Sequence, residues 1–478
     1  MALTQRKKWL ALALLCVVQF MVVLDIAIVN VALPSIKIDL GFSQESLQWV
    51  ISAYALVFGG FLLLGGRAAD LVGRRRIFFA GVAVFTLGSL FAGLAWSEPS
   101  LIGARAIQGL GAAMLSPAAL SILMTTFREG RERNIALGAW GAVGGFGAAA
   151  GVLLGGVLTD ALSWEWIFFV NVPVGILALA LAPVLLGESR DSRAKRFDAV
   201  GAVLVTAGLS LLVFAITKAN DFGWASLETI GLVAASLALL GVFAGWERRQ
   251  SDPLVPFSIF RIRTVAGANV AGFLLGTMLF SMFLLLTLYM QQVLGYSPMK
   301  TGIAYLAVAG TSIIWANVAA QLVNRVGVKP VLVFGMAMLT AGLAYFTQLS
   351  PDGSYVGDLL PGLLIIGIGM PFAFVAIAIA SLAGVRDRDA GLASGLINTS
   401  QQIGGALGIA ALSAIATSHT NELVSAGTGV PTALTEGFQS GMWAGVVVAA
   451  LGLLAAIVLV RRDDLGAAPS AVPVPERG

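Results

Sequence analysis

Charge is scarce in this chain of 478 residues: Asp, Glu, Lys and Arg together make up 11%. A soluble domain carries about 25%, so a water-exposed globule is excluded. With 58% hydrophobic residues and a mean hydropathy of +0.91, the chain reads as a polytopic membrane protein. Cysteine occurs once, at Cys16, so an internal disulfide and a cysteine-built metal site are both excluded. Histidine also occurs once, as His419, in a segment read as an outer loop over 418–439; no metal site is expected. No glycine-rich loop ends in Gly-Lys-Ser or Gly-Lys-Thr, so ATP is not the expected energy source. Gly-x-Gly-x-x-Gly spacings arise by chance among 57 glycines and open no βαβ unit. Neither an enzyme nor a cofactor is expected. The net charge of +4 reflects topology rather than affinity for nucleic acid. The first apolar run is too long for the core of a cleaved leader and is expected to stay as a membrane helix.

What remains is apolar runs. Fourteen are long enough to cross a bilayer, at about 9–33, 47–65, 77–96, 101–124, 135–158, 166–186, 198–217, 229–246, 265–289, 301–323, 330–348, 359–383, 393–417 and 440–460. The few cations test this count. With the N-terminus inside, 25 of the 29 Lys and Arg fall in inner segments. Lys37, Lys218 and Lys300 fall outside, and Arg105 lies within a span. That asymmetry supports fourteen spans with both termini cytoplasmic.

The spans group as six, two and six. We expect a six-helix bundle over 1–187, a linker with two additional spans over 188–263, and a second bundle over 264–464. The Ala/Pro-rich tail 465–478 is expected to be disordered. An internal repeat supports two related bundles. Asp70-x-x-Gly73-x-Arg75 aligns with Asn324-x-x-Gly327-x-Lys329 at an offset of 254, and RERNIALG (131–138) with RDRDAGLA (386–393) at 255. Such halves, with a site at their interface near the midplane, are the architecture of many secondary transporters.

One carboxylate, Asp25, interrupts the first span. Sixteen residues beyond Trp9, at about 1.5 Å each, put it about 24 Å along, in the far third. An ionised group there costs about 2.5–3.5 kcal/mol on insertion scales, so it faces protein or a watered cavity. It reads as a proton or cation site, or as a polar residue near a helix end that bonds a neighbour. Arg105, in the outer part of the fourth span, lies at a comparable depth. Two opposite charges in apolar helices should meet, directly or through water, as a coupling pair or a static one. The loop 65–76 has its own logic. Gly73 permits a tight turn. Asp70, with Arg74 and Arg75 beside it, can pair or sit at a helix N-terminus, and so hold one conformation and release another. Asn324, Arg325, Gly327 and Lys329 stand at the matching positions. The bland reading is that these charges only orient the chain.

Several stretches together resemble the major facilitator superfamily, and within it the fourteen-helix drug:proton antiporters of the QacA/EmrB type. LDIAIVNVALP (24–34) resembles that family's first-helix signature, and QWVISAYAL (48–56) fits its second helix. GRAADLVGRRR (66–76) resembles the cytoplasmic loop motif, with Leu71 where Arg is usual. LIGARAIQGLGAA (101–113) fits the fourth helix, SWEWIFFVNVPVG (163–175) the sixth, and GLASGLINTSQQIGGALGIA (391–410) a glycine-rich helix of the second half. GAAAGVLLGG (147–156) keeps the glycines of the antiporter motif, Gly147, Gly151, Gly155 and Gly156, but has Val152 in place of proline, so a family-typical kink is not expected.

The resemblance implies an all-α integral membrane protein with the major facilitator fold: two pseudo-symmetric six-helix bundles plus two extra helices. It implies that Asp25 and Arg105 serve proton coupling. It also implies a cavity between the halves, for which Tyr54, Gln108, Trp140, Phe146, Trp315, Asn398 and Gln401 are the candidate lining. Aromatics and amides suit amphipathic organic molecules by stacking and cation–π contact. The function expected is proton-driven efflux of drugs, antibiotics or other amphipathic small molecules by alternating access. The expected partners are that substrate and the lipid bilayer of a bacterial cell membrane, with the protein a monomer. The alternative is a proton-coupled symporter or facilitator for a metabolite. A receptor or scaffold on a transporter fold, which would move no protons, is the reading from another class.

Overall fold

The computed structural model describes residues 5–43, 46–127, 131–189, 198–250, 253–255, 257–383, 385 and 390–460; of Phe146 and Asn324 it describes the backbone alone. The tail 465–478, linker residues 190–197 and repeat residues 386–389 lie outside the described residues. Among the described residues, fifteen α-helices follow one another. They are α1 (Gln5–Leu40), α2 (Trp49–Val72), α3 (Arg74–Gly93), α4 (Glu98–Thr126), α5 (Arg131–Ala161), α6 (Trp166–Phe169), α7 (Asn171–Leu185), α8 (Ala199–Phe222), α9 (Leu227–Glu247), α10 (Arg263–Leu288), α11 (Pro298–Val326), α12 (Val328–Phe346), α13 (Leu360–Ala380), α14 (Ala390–Ser425) and α15 (Val430–Leu459). The short α6 and α7 share one crossing, Trp166–Leu185. Among the described residues, thirteen crossings are long and apolar enough to span a bilayer; α5, continuous over 31 residues with an apolar stretch at Ala150–Ala161, is the fourteenth. The protein is therefore an all-α, multi-pass membrane protein.

Helix starts follow local chemistry. Asp198 accepts from Gly201 N at the head of α8, Ser226 from Thr229 N at α9, and Ser297 from Lys300 N at α11, where Pro298 occupies the first turn. Two expectations need correction. The helices overrun their apolar cores. α1 runs from Gln5 to Leu40, so Asp25 sits just past its middle rather than in its far third. The broad outer loop over 418–439 is a short hairpin, because α14 continues to Ser425 and α15 begins at Val430. His419 thus stands on α14, with Nδ1 3.8 Å from Glu422 Oε2.

We call the end where α1 begins and α15 finishes the near end, and the opposite one the far end. The helices α1–α7 pack together, as do α10–α15. Their cores differ by level. At the near end, Ala11, Leu15 and Val18 of α1 belong to a core built from α1–α7 alone. At the far end, Leu24, Ile28, Leu33 and Ile36 share one core with Met278, Met282, Leu285 and Tyr289 of the second group. Both groups thus share the core at the far end, whereas at the near end, among the described residues, the core around α1 includes no residue of the second group. Two seams join the groups. On one, α5 meets α11 at the far end, where a Cβ on Gly156 would lie 2.7 Å from Pro298 O, and one on Gly302 2.7 Å from Val152 O. On the other, α2 meets α14, with Gly59 against Gln402 and Ile403. Small residues permit this approach without a hydrophobic drive between helices in lipid. The added helix α8 covers the second seam. Leu209 and Val213 pack with Ala55 and Leu56 of α2 and Ala406 and Ala410 of α14. Gln48 Nε2 donates to Thr217 Oγ1 at 2.8 Å, and Asn220 Nδ2 to Ala414 O at 2.9 Å.

A buried ion network between α1 and α4

Glycines set the spacing of the site. On α5, Gly147, Gly151 and Gly155 form one stripe against α1. A Cβ on Gly151 would fall 2.8 Å from Leu24 O, and one on Gly155 2.7 Å from Ile28 O. These two contacts bracket Asp25. On the other side, Gly109 lets α4 lie against Tyr54 O of α2, and Gly88 lets α3 lie against Gln108 N. The result draws four crossings around one carboxylate.

Arg105 Nη1 donates to Asp25 Oδ2 at 2.6 Å and to Gln108 Oε1 at 2.7 Å; its Nε donates to Val50 O at 2.9 Å. Gln108 Nε2 donates to Asp25 Oδ1 at 2.9 Å and to Ser89 Oγ at 2.7 Å. Asn171 Nδ2, at the start of α7, donates to Asp25 Oδ1 at 2.9 Å. The Asp25 and Arg105 side chains are 0% and 1% exposed. The Tyr54 ring centroid lies 4.5 Å from Arg105 Cζ, and that of Phe168, on α6, 5.6 Å. Every partner of Asp25 is a donor, so the arrangement satisfies the ionised carboxylate. Desolvating two charges is expensive. Such a pair persists when geometry is close and the remaining lone pairs are bonded, and here they are. Breaking it strands a charge, at a typical cost of about 3–5 kcal/mol.

The loop residues form ties within each group of helices. Arg74 donates to Asp70 Oδ1 at 3.2 Å (Nε) and 3.0 Å (Nη2). Arg75 Nη1 donates to Leu186 O at 3.3 Å, and Glu188 lies 3.8 Å from Arg75 and 3.7 Å from Arg76. These bonds fasten the α2–α3 turn to the chain leaving α7. The α11–α12 turn repeats the pattern, since Lys329 Nζ donates to Ile457 O of α15 at 2.6 Å. Gly73 and Gly327, the paired glycines of the internal repeat, have φ of 126° and 89°. Both sit between helices in a backbone form that a Cβ disfavours. Arg325 lies in the last turn of α11, and the side chain of Asn324 is outside the described residues.

The residues expected to line a cavity stand in different surroundings. Tyr54 and Gln108 are 2% and 0% exposed and belong to the ion network instead. Trp140 is half-buried against the α1–α7 core. Trp315 lies against Phe372, with centroids 6.1 Å apart. Asn398 is exposed and donates to Ser394 O at 3.0 Å; Gln401 packs its backbone and Cγ against Gly276 and Gly272 of α10. The side chain of Phe146 is outside the described residues. Sequence reasoning missed Asn171, Ser89 and Phe168. For Asn171 a signal existed, a lone amide within WIFFVNVPVG; for Ser89, one small polar residue in an apolar span, there was none.

The comparisons agree with this architecture. A family model described as Major Facilitator Superfamily matches residues 15–409. The puromycin resistance protein of Streptomyces alboniger is 40% identical over 456 residues, covering 95% of this chain and 90% of that one. The cephamycin export protein of Amycolatopsis lactamdurans is 42% identical over 415 residues, covering 86% and 85%. Among solved structures, a bacterial homologue of the human lysosomal transporter Spinster superposes with a TM-score of 0.66 at 18% identity, covering 98% of this chain and 100% of that one, and thus shares the fold. Crossings, repeat and family match lead to one conclusion: this chain belongs to the Major Facilitator Superfamily and is a membrane transporter rather than an enzyme.

Proposed function

We propose that the protein exports antibiotics or other amphipathic small molecules in exchange for protons, by alternating access, as a monomer in a bacterial inner membrane. The near end is cytoplasmic, with both termini there. Bundles 1–187 and 264–464 rock about the site, and 188–263 carries the two added spans. The relatives named for puromycin resistance and cephamycin export support the substrate class. The observation that carries the coupling is the Asp25–Arg105 pair at 2.6 Å, closed off from water by Gln108, Asn171 and Tyr54. A proton reaching Asp25 from the far side would neutralise it and loosen Arg105, which Val50 O, Gln108 and the Tyr54 ring would still hold. Releasing that proton to the near side restores the pair. The energy source is the proton gradient. Asp70, Arg74, Arg75, Arg325 and Lys329 stiffen the near-end turns, so each bundle moves as a body. Trp315, Asn398 and Gln401 are the cavity residues that this reading retains.

Everted vesicles test it. Ethidium uptake should accompany proton exit from the lumen, collapse with a protonophore, and fall at least about tenfold in Asp25→Asn, the loss expected when a charge-assisted pair is broken. Unchanged transport in Asp25→Asn removes Asp25 from the coupling. Proton entry in the same direction as the dye indicates symport instead.

A further inference from the structure

The two added helices meet at the near end through a pair of acidic side chains that the export reading does not use. Asp198 caps α8, and Glu247 is the last residue of α9. They are 9% and 2% exposed. Asp198 is well supplied with donors. Its Oδ1 accepts from Gly201 N at 2.8 Å and from Trp246 Nε1 at 3.0 Å, and its Oδ2 accepts from the same indole at 3.1 Å. Glu247 is poorly supplied. Its Oε2 accepts from Val255 N at 3.1 Å, while Oε1 is buried with no donor.

That orphaned oxygen faces Asp198. A Cβ on Gly201 would lie 2.6 Å from Glu247 Oε1 and 2.8 Å from Asp198 Oδ2, so both oxygens border one small space. The two side chains are within hydrogen-bonding reach. Ionised carboxylates are acceptors only, so a bond between them needs a proton on one. A single proton would also give the orphaned oxygen a partner and remove the repulsion between two like charges. Asp198 is the charged group that acts on Glu247 among the described residues. Arg248 and Arg249, next along α9, are exposed, and Arg67, a turn beyond Leu64 on α2, has its partner elsewhere.

Glu247 also holds the chain that leaves α9. Its bond to Val255 N fixes a segment wedged between the two groups of helices. Leu254 packs with Leu64 of α2 and Ala202 of α8. Val255 packs against that cluster and against a second one, which contains Val265 of α10 with Ala393 and Leu396 of α14.

We propose that Asp198 and Glu247 hold one proton between them, carried on Glu247 Oε1 and donated to Asp198 Oδ2, and that this proton clasps residues 254 and 255 to the α8–α9 hairpin. Loss of the proton to water at the near end leaves two adjacent buried carboxylates, which must separate or hydrate. The segment then comes free. The clasp is closed at lower pH and opens as pH rises. It does not depend on Asp25, and its test does not use transport.

Infrared difference spectra of the full chain in nanodiscs test it, from about pH 5 to 9, across and above the ordinary carboxyl range. A protonated-carboxyl C=O band should disappear as pH rises, in the parent and in Asp25→Asn alike, and should be missing in Glu247→Gln. Asp198→Asn keeps a capping side chain. It removes the charge that opposes ionisation of Glu247, and should move the loss of the band to lower pH. The clasp itself is read by thiol labelling with Cys16→Ser. Leu254→Cys reports the wedge, and Phe257→Cys, 38% exposed on the same segment, corrects for the effect of pH on thiols. Their rate ratio should rise by about tenfold or more with pH, the worth of a hydrogen bond to a charged group. In Glu247→Gln, whose amide can donate to Asp198 at every pH, it should stay flat. The proposal is overturned if Glu247→Gln removes no band, if Asp198→Asn leaves the loss of the band in place, if the parent ratio is flat, or if it rises equally in Glu247→Gln.

Discussion

Gly156 sits where α5 meets α11 at the far end, so a single methyl there should shift the conformational balance. An alanine Cβ would lie 2.7 Å from Pro298 O and 2.8 Å from Met299 Cα. Both obstacles are backbone and cannot swing aside. Reaching ordinary contact requires the helices to part by about 0.7 Å, and overpacking of this kind costs about 1–3 kcal/mol. The cost applies only while the seam is closed. Alanine's better helix propensity does not enter as long as α5 stays helical when the seam opens. A penalty of about 1–3 kcal/mol on one state is a shift of about 5- to 150-fold toward the other. Spin labels at Ile38→Cys and Val356→Cys, 84% and 69% exposed at the far ends of the two groups, read that opening by electron–electron distance. Gly156→Ala should add a longer-distance population. Gly310→Ala, on α11 with nothing within 4 Å of the added methyl, should leave the distribution unchanged. Identical distributions for parent and Gly156→Ala refute the idea that this seam latches the far end.

The ion network makes a graded prediction. Gln108→Leu removes a donor to Asp25 and an acceptor for Arg105, and should lower detergent thermal stability by the equivalent of about 1.5–3 kcal/mol, the range for bonds to charged groups. Ser89→Ala touches only Gln108 and should lower it less, so a larger drop in Ser89→Ala contradicts the assignment. At the near end, Gly73→Ala meets both a φ of 126° and the Glu188 carboxylate 2.7 Å from the new Cβ. It should lose about 1–3 kcal/mol through backbone strain, and scanning fluorimetry will show an unchanged melting curve if the turn relaxes freely.

Hydropathy located every crossing because a bilayer demands long apolar runs, and charged loops fixed the count. It did not locate helix ends. Gln5–Lys8 and Ser418–Ser425 are polar yet helical, since backbone bonding continues past the lipid boundary that hydropathy reports. Asp25 and Arg105 were legible for a related reason, as ions are conspicuous in apolar helices. Their neutral partners were not. Asn171 and Ser89 resemble the small polar residues that any glycine-rich span contains. Tyr54 and Gln108 were expected on an open wall and are buried against the charges. Helices that are apolar all round give no reading of which side faces a neighbour, a cavity or lipid.

The position of α8 has a mechanical consequence. It hydrogen-bonds the first group through Gln48 and the second through Asn220, and it also lies on the stretch of chain that connects them. The covalent tether and the lateral brace are thus one segment. On the proposed rocking of the two lobes, Gln48 and Ala414 move apart, so this strut cannot keep both bonds and one of its two moorings has to be remade in each cycle.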